Sequence, residues 1–313
     1  MEKIRIMKKA IKGITLLSLV VTIIVLLILA GVAINFSIGD GGILKRAEDA
    51  ASKYEEASIK EVIDIYKLNE AMGGEETLKE YLIENRIISE EEIEEEGLIK
   101  LSENIYGIST YEELKYLSES VNKGEEYRGK TIYILNDIDC KAEYNEETGE
   151  LISGENFVPI GSSNTSIEKE IEGEGETKAF RGKLEGMGYK IERIYIKKNE
   201  EGSYCTGLIG YLGEEGEVRE LSIEKSYIQG YYETGAIVGR NRGKIINCTN
   251  ESKVVGDYYL TGGIAGRINA TKRNSLVEKC FNKGEVYSLA DMEKGWQTAG
   301  IVANASGNNE YQV

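Results

Sequence analysis

Two carboxylates, Asp137 and Asp139, have the spacing best suited to catalysis in this 313-residue chain. Residues two apart on a β-strand face the same side, so both side chains can point outward together. Such a pair can act as general acid and base at a glycosidic bond, or can bind calcium. Alternatively, the segment 136–139 turns a corner with its side chains bonded to the backbone. No second acidic cluster repeats the spacing, so we assign no catalytic residue and expect a protein that is not an enzyme.

The composition removes several kinds of site. The chain has no histidine, which excludes Ser-His-Asp and Cys-His catalysis and histidine metal ligation. Its four cysteines, Cys140, Cys205, Cys248 and Cys280, show no CxxC spacing, so we predict no metal site and no cofactor. Cys248 and Cys280 occupy equivalent places in a sequence repeat. There they either stack in a core or, outside the cell, form a disulfide.

Charge is unevenly distributed along the chain, whose net charge is −16. Residues 1–13 carry five basic side chains and one acidic side chain, whereas the remainder carries 33 basic and 53 acidic side chains. An acidic body of this kind repels phosphate backbones. We therefore expect no nucleic-acid partner.

An uncharged apolar stretch follows the basic residues. Residues 14–34 would span about 32 Å as a helix, enough to cross the hydrocarbon core, and we predict a transmembrane helix over 14–38. The basic flank 1–13 then lies in the cytoplasm and the body lies outside the cell. The sequence thus predicts a single-pass cell-membrane protein with membrane lipid as a partner.

The junction between the basic residues and the apolar stretch reads KKAIKG-ITLLSLVV. It resembles the leader and first helix of type IV pilins and pseudopilins. The resemblance implies that a prepilin peptidase cuts between Gly13 and Ile14, so that residues 1–13 are a leader, and that other pilin subunits are partners. Ser18 stands where that family usually carries glutamate, which leaves processing as an expectation and filament assembly open.

The segment between the apolar stretch and the β-rich part reads as helical. Residues 39–104 are predicted to form a helical stalk and an acidic helical linker, with one helix near 43–70. Thr110 and Glu113 form a capping box that opens a further helix. The apolar side of that helix carries Leu114, Leu117 and Val121. Beyond it, short apolar alternations indicate strands, and the polar or glycine-rich segments 141–156 and 162–178 are expected to be loops.

A tetrad of small and aliphatic residues recurs four times near the end of the chain. The copies are Gly207-Leu208-Ile209-Gly210, Ala236-Ile237-Val238-Gly239, Gly263-Ile264-Ala265-Gly266 and Gly300-Ile301-Val302-Ala303. A single unit cannot bury its apolar face, so units must stack with each strand beside the next. Small residues allow sharp turns or close approach of another layer. The glycines assigned to the repeat motif are Gly207, Gly210, Gly235, Gly239, Gly263, Gly266 and Gly300, of which Gly235 directly precedes the second tetrad. We expect an internal ladder of Ile209, Val238, Ile264 and Val302.

The tetrads resemble the GLUG motif of bacterial surface and secreted proteins, with Ala236 and Ala303 where the motif has glycine. The resemblance implies a mainly β fold, namely a parallel β-solenoid (β-helix) of GLUG-type repeats over 105–313. A capping helix would open the solenoid, and the transmembrane helix and short helices would precede it. Because Val313 follows shortly after a tetrad without a capping helix, a truncated last rung is one expectation.

Three functions remain open on the sequence. The first is an anchored or pilin-like surface protein that displays an acidic β body for adhesion to an extracellular protein or glycan. Tyrosines at its turns would stack on sugars or contact a partner, or else would be ordinary half-buried residues. They are Tyr231, Tyr232, Tyr258 and Tyr259. The second is a membrane-tethered enzyme acting on polysaccharides, and the third is a pseudopilin of a secretion or pilus system.

Overall fold

The computed structural model describes residues 43–74, 78–88, 97–166, 169–170, 175–270, 275–289 and 297–307. The chain divides into two compact units, Met1–Ser58 and Ile59–Val313. The described residues are mainly β. Their three helices are α1 (Ile43–Ala71), α2 (Leu78–Glu84) and α3 (Tyr111–Lys123).

Helix α3 begins and ends where the sequence predicts. The N–H of Glu113 donates to Thr110 Oγ1 at 3.2 Å, and Glu113 Oε2 accepts from the Thr110 N–H at 3.0 Å. Gly124 ends the helix with a φ of 111°, in the left-handed region that favours glycine. The predicted apolar side is buried, and it consists of Leu114, Leu117 and Val121. Helix α1 likewise agrees with the helix predicted near 43–70.

The strands are short. In chain order they are β1 (Ile99–Lys100), β2 (Ile105–Ile108), β3 (Thr131–Ile134), β4 (Ile138–Asp139), β5 (Glu143–Tyr144), β6 (Leu151–Ser153), β7 (Ser162–Ser163), β8 (Thr177–Lys178), β9 (Lys183–Glu185), β10 (Lys190–Glu192), β11 (Tyr195–Lys198), β12 (Ile209–Leu212), β13 (Glu217–Arg219), β14 (Ser222–Gly230), β15 (Glu233–Gly235), β16 (Val238–Asn241), β17 (Lys244–Ile246), β18 (Thr249–Gly256), β19 (Leu260–Gly262), β20 (Ala265–Ala270), β21 (Leu276–Glu278), β22 (Phe281–Asn282), β23 (Val286–Ser288), β24 (Gln297–Ala299) and β25 (Val302–Gly307).

Four of the sheets carry most of these strands. Sheet 1 has the order β1-β2-β3-β9-β13-β17-β21, and sheet 2 has the order β22-β18-β14-β10-β4, with β11 beside β14 and β23 beside β18. Sheet 3 is β12-β16-β20-β25, and sheet 4 is β15-β19-β24. Apart from β1 with β2, neighbours within these four sheets pair in parallel.

The predicted fold class, a parallel β-solenoid of GLUG-type repeats, is wrong. The described strands are divided among six sheets, and two of these are separate antiparallel pairs, β5 with β6 and β7 with β8. Those pairs lie in the segments 141–156 and 162–178, which were expected to be loops. The physical reason is that polar, glycine-rich insertions close on themselves through local antiparallel hydrogen bonds instead of extending the parallel sheets.

None of the helices in the described ranges is long and apolar enough to span a membrane. Helix α1 is long, but charged side chains interrupt its apolar residues throughout. The predicted span 14–38 lies outside the described residues, as do Gly13 and Ile14.

The core consists of aliphatic side chains that repeat from strand to strand. In sheet 1, neighbouring strands place a column of aliphatic residues in register, each 3% exposed or less. The column is Ile132, Leu184, Val218, Ile245 and Val277. Burial of each such side chain contributes about 1.5–3 kcal/mol. This column keeps the neighbouring strands of sheet 1 in register.

The ladder expected in sheet 3 is displaced by one residue in its third member. Ile209 pairs with Val238, Val238 pairs with Ala265, and Ala265 pairs with Val302. Ile264 is fully buried but precedes the strand that carries the ladder. The tetrads are in register, so the third position of the third copy is the alanine. The expectation failed because it followed side-chain size and not the position within the tetrad.

Candidate functional site

Both members of the acidic pair are hydrogen-bonded to the backbone. Asp137 Oδ1 accepts the backbone N–H of Lys190 at 3.0 Å, and Asp139 Oδ1 accepts that of Lys141 at 2.9 Å. Arg193 donates to both carboxylate oxygens of Asp139, from Nε at 2.8 Å and from Nη2. These hydrogen bonds hold the pKa of Asp139 below its usual range, which disfavours a role as a general acid. The corner interpretation, with side chains bonded to the backbone, describes this segment.

The turn tyrosines are brought together. Tyr231 and Tyr258 stack with ring centroids 4.8 Å apart, and Tyr232 meets both of them edge-on. Tyr259, 38% exposed, adjoins Tyr258 with ring centroids 6.4 Å apart. A fifth ring, Tyr204, stacks on Tyr232 at 4.3 Å with an interplanar angle of 11°. We call these five residues the tyrosine cluster.

Tyr204 was missed by the sequence reasoning, although a signal for it exists. The pattern aromatic-x-Thr occurs at Tyr204, Tyr232 and Tyr259, and again at Trp296, which lies outside the described residues. The threonines of the pattern are in register from one strand to the next. They are Thr206, Thr234, Thr261 and Thr298. Searching for this spacing would have placed Tyr204 in the same column as the other two tyrosines.

A cavity of about 270 Å³ opens beside the tyrosine cluster. We call it the tyrosine cavity, and it is lined by Ser166, Tyr204, Tyr232, Glu233, Tyr259, Leu260, Arg267 and Asn304. Arg267 and Asn304 of this lining are neighbours in sheet 3, where Arg240 is the neighbour of Arg267 on the other side. Glu233 and Leu260 of the lining are neighbours in sheet 4.

A buried ion pair lies beside the tyrosine cavity, and one of its members, Glu233, belongs to the lining. Arg240 Nε donates to Glu233 Oε2 at 2.7 Å, and both side chains are at most 2% exposed. Arg267 Nη1 lies 3.6 Å from Glu233 Oε1, and the Cys205 thiol donates to Glu233 Oε2 at 3.6 Å. These partners hold the Glu233 carboxylate in a fixed orientation.

Glu170 joins the arginines from the segment after β7. Its Oε2 accepts from Arg240 Nη1 at 2.8 Å, and its Oε1 accepts from Arg242 Nη1 at 2.7 Å. The Tyr211 hydroxyl donates to the same Oε1. Arg240 also donates to the Thr165 carbonyl at 2.9 Å. These bonds hold the side chains of Arg240 and Arg242 in place.

The hydroxyl group of Tyr204 remains a hydrogen-bond donor. Burial raises the pKa of Tyr204 to about 12, so its hydroxyl keeps its proton at neutral pH. The stack occupies one face of Tyr204 and one face of Tyr232. Ring edges carry partial positive charge and ring faces partial negative charge, so exposed edges favour oxygen-bearing groups.

A second cavity, of about 400 Å³, shares Tyr204 with the first. We call it the lysine cavity. Its lining residues are Asn122, Ser162, Ser163, Asn164, Glu176, Lys178, Lys198, Gly202, Ser203 and Tyr204. The structure thus places one aromatic side chain between two polar cavities.

The repeat glycines act through close packing. A methyl group added to Gly207, Gly210 or Gly239 would lie 2.2–2.5 Å from a backbone atom of a neighbouring segment. A methyl group added to Gly235, Gly263 or Gly266 would lie 2.1–2.4 Å from a backbone atom. A methyl group added to Gly300 would have no neighbouring atom within 4 Å. Within the described ranges, no group of three or more acidic or cysteine side chains is arranged to hold a metal ion.

No family model matches the chain. Over 131 residues, 42% of this chain, it is 28% identical to halomucin of Haloquadratum walsbyi, and the match covers 1% of that protein. Over 152 residues, 48% of this chain, it is 30% identical to the “Putative Gly-rich membrane protein” of Evansella cellulosilytica, of which 15% is covered. The chain therefore spans only a small part of the curated relatives that it matches, one of which is a membrane protein by name.

Among solved structures, the chain is similar to that of a “putative immunoglobulin A1 protease” from Bacteroides ovatus. The TM-score is 0.47 at 17% identity, over 64% of this chain and 53% of the other. A likeness of this size supports no inference about function.

Proposed function

We propose that this is a cell-surface protein that binds carbohydrate in the tyrosine cavity. The observation that carries the proposal is a cavity whose lining combines three tyrosines, Tyr204, Tyr232 and Tyr259, with the polar residues Arg267, Asn304 and Glu233. The similarity to a membrane protein of Evansella cellulosilytica supports the location. Binding, not catalysis, is the activity proposed.

The chemistry of the cavity suits a ligand rich in hydroxyl groups. Tyrosine hydroxyl, arginine and asparagine groups donate hydrogen bonds to sugar oxygens, and the Glu233 carboxylate accepts from sugar hydroxyls. Concave sites with aromatic walls and a few well-placed polar groups are typical of small-ligand binding. Because the Arg240–Glu233 pair is already formed, little reorganisation is needed when a ligand enters.

The test is a titration with defined oligosaccharides. The probes are oligogalacturonate, its fully methyl-esterified form and a dextran oligosaccharide, followed by calorimetry. We expect at least one probe to bind, and Tyr232→Ala and Arg267→Gln each to weaken its binding about tenfold or more. Tyr116→Ala on helix α3 is the matched control, because Tyr116 is 43% exposed and far from the cavity lining. Absence of binding to all three probes would contradict the proposal, as would equal losses in Tyr116→Ala.

We further propose that the chain reaches the surface through its pilin-like start. The basic leader and the Gly13–Ile14 junction support cleavage by a prepilin peptidase on the cytoplasmic side. Ser18 stands in place of the usual glutamate, so the proposal covers export and not assembly into a filament.

A further inference from the structure

Tyr204 belongs to the lining of both cavities. The Tyr204 side chain is held by its stack on Tyr232, and its backbone carbonyl accepts from Lys198 Nζ at 2.7 Å. Because one residue lines both cavities, a ligand longer than one sugar that occupied the tyrosine cavity could extend past Tyr204 to the lysine cavity.

The charges of the two cavities differ. In the tyrosine cavity, Arg267 faces the Glu233 carboxylate. In the lysine cavity, two ammonium groups, Lys178 and Lys198, accompany one carboxylate, Glu176. Lys178 Nζ is 3.9 Å from Glu176 Oε1, and the Glu176 side chain is 78% exposed. This long, solvated contact neutralises Lys178 weakly.

The position of Lys198 adds to this asymmetry. Its ammonium is bonded to a neutral carbonyl oxygen, Tyr204 O. Burial lowers the pKa of Lys198, which means that its charged form is poorly solvated where it lies. An anionic ligand group nearby would stabilise that charge. The serine and asparagine side chains of the lining supply neutral hydrogen-bonding groups around the two lysines, and they are Asn122, Ser162, Ser163, Asn164 and Ser203.

We propose that the lysine cavity is a subsite for the anionic group of an acidic polysaccharide, so that the ligand bound beside Tyr204 is a chain of at least two sugars with a carboxylate or sulfate. This inference rests on the proposed function, since the tyrosine cavity must bind the neighbouring sugar. It assigns the ligand class from the contrast between the acidic body and this locally cationic cavity. The ammonium groups contact the anion directly, so the overall charge of −16 opposes approach but not the bound state.

The experiment compares oligogalacturonate with its methyl ester, which has the same sugars without the charge. We expect oligogalacturonate to bind about tenfold more tightly. Lys178→Gln should remove most of that difference, so that the two oligosaccharides bind the variant with similar affinities. Lys225→Gln, which removes an ammonium that is 66% exposed on strand β14 and bonded to Glu192, is the matched control and should change neither affinity.

The outcomes separate the two proposals. If neither oligosaccharide nor dextran binds, the proposed function fails. If oligogalacturonate and its ester bind equally, or if Lys178→Gln behaves like Lys225→Gln, carbohydrate binding stands and the anionic subsite is refuted. A dextran sulfate arm distinguishes the source of the anion, because preference for dextran sulfate over oligogalacturonate supports the subsite with sulfate as its ligand. Lys178 lies on a short surface strand and is partly exposed, so its substitution leaves the core intact.

Discussion

Asn250 Nδ2 donates a hydrogen bond to Asn282 Oδ1 at 2.7 Å, between the adjacent parallel strands β18 and β22. Each side chain also closes its own turn. Asn250 Oδ1 accepts the Ser252 N–H at 3.0 Å, and Asn282 Oδ1 accepts the Gly284 N–H at 3.3 Å. One pair of amides therefore joins two strands and shapes two turns.

Replacing the inner member of this pair should destabilise the fold. Asn250 is fully buried, so Asn250→Ala leaves several polar groups without partners and should lower the free energy of unfolding by about 1–3 kcal/mol. Asn282→Ala should cost less because Asn282 is half-buried. Urea unfolding of both single variants and the double variant measures this. Strict additivity in the double variant would show that the amide–amide bond contributes nothing.

The repeat glycines offer a matched pair of substitutions. A Cβ at Gly266 would lie 2.4 Å from the Thr234 nitrogen, whereas a Cβ at Gly300 meets nothing within 4 Å. Gly266→Ala should destabilise by about 1–3 kcal/mol or more, and Gly300→Ala should change stability by less than about 0.5 kcal/mol. Thermal unfolding of the two variants compares them. Similar effects at both positions would mean that close approach is not what selects glycine here.

Glu185 should make stability fall as pH rises. It is 1% exposed, Lys183 Nζ is 3.4 Å from its Oε2, and among the described residues its Oε1 has no hydrogen-bond partner. Burial raises the pKa of Glu185 in the folded state. The protonated form is therefore favoured on folding. Its contribution is full below the unfolded-state pKa and is lost as pH rises through the folded-state pKa.

The substitution Glu185→Gln tests this sign. We expect the variant to be more stable than the parent at pH 8, by about 1–2 kcal/mol, and similar to it at pH 4. Chemical unfolding at the two pH values gives the difference. The exposed Glu103 serves as control, since Glu103→Gln should have little effect at either pH. A larger gain at pH 4 than at pH 8 would reverse the argument.

Cys248 and Cys280 should form a disulfide under oxidising conditions. The register of β18 with β22 puts them side by side, at a strand spacing of about 4.8 Å that suits the bond. The hydrogen bond from Cys248 lowers the pKa of Cys280, and burial raises that of Cys248. The Cys280 thiolate attacks oxidised glutathione and releases one glutathione thiolate. Cys248 then displaces the second glutathione and loses its proton, which completes the protein disulfide.

Peptide mass spectrometry after treatment with oxidised glutathione checks the cross-link. The linked peptides should have lost two hydrogens. Cys140 and Cys205 are buried with a pKa of about 12 each, and they should remain thiols that are alkylated only after unfolding. A glutathione adduct that persists on Cys280 would show that Cys248 cannot reach it.

Processing at Gly13 has its own test. In a host with an active prepilin peptidase, the mature protein should begin at Ile14, and replacement of Gly13 by a bulky residue should leave the precursor uncut. Mass spectrometry of the N-terminus distinguishes the two forms. A mature protein that still begins at Met1 in such a host would refute the pilin-like start.

Local features were the easiest to predict from the sequence. The capping box of Thr110 and Glu113 depends only on residues three apart, and α3 follows it as predicted. The tetrads predicted which strands would be neighbours, because a repeat encodes the same backbone path each time. The prediction that Ile264 belongs to the ladder was wrong, because it chose the larger side chain over the neighbouring Ala265, which holds the equivalent position in the tetrad.

The candidate site was predictable only in part. Tyrosines at the turns were named from the sequence, but Tyr204 was missed. Glu170, Glu233 and Arg240 meet only through hairpins and sheets that the sequence did not indicate. Glu170 lies 70 residues before Arg240 in the chain, and Glu233 lies seven residues before it on another strand. Each of these charges by itself resembles a surface residue in the sequence. The same ambiguity applies to Lys198.

The recurrence of the aromatic-x-Thr pattern in register has a consequence for protein engineering. Within residues 232–267, each unit adds one tyrosine next to a strand of sheet 4 and one arginine to sheet 3. An additional unit would add a further aromatic and a further polar residue at the same places. Binding length could therefore be changed by duplicating or deleting whole units, while affinity at each subsite is tuned by single substitutions. If the proposed site binds carbohydrate, the number of units would set the length of the ligand and single side chains would set its chemistry.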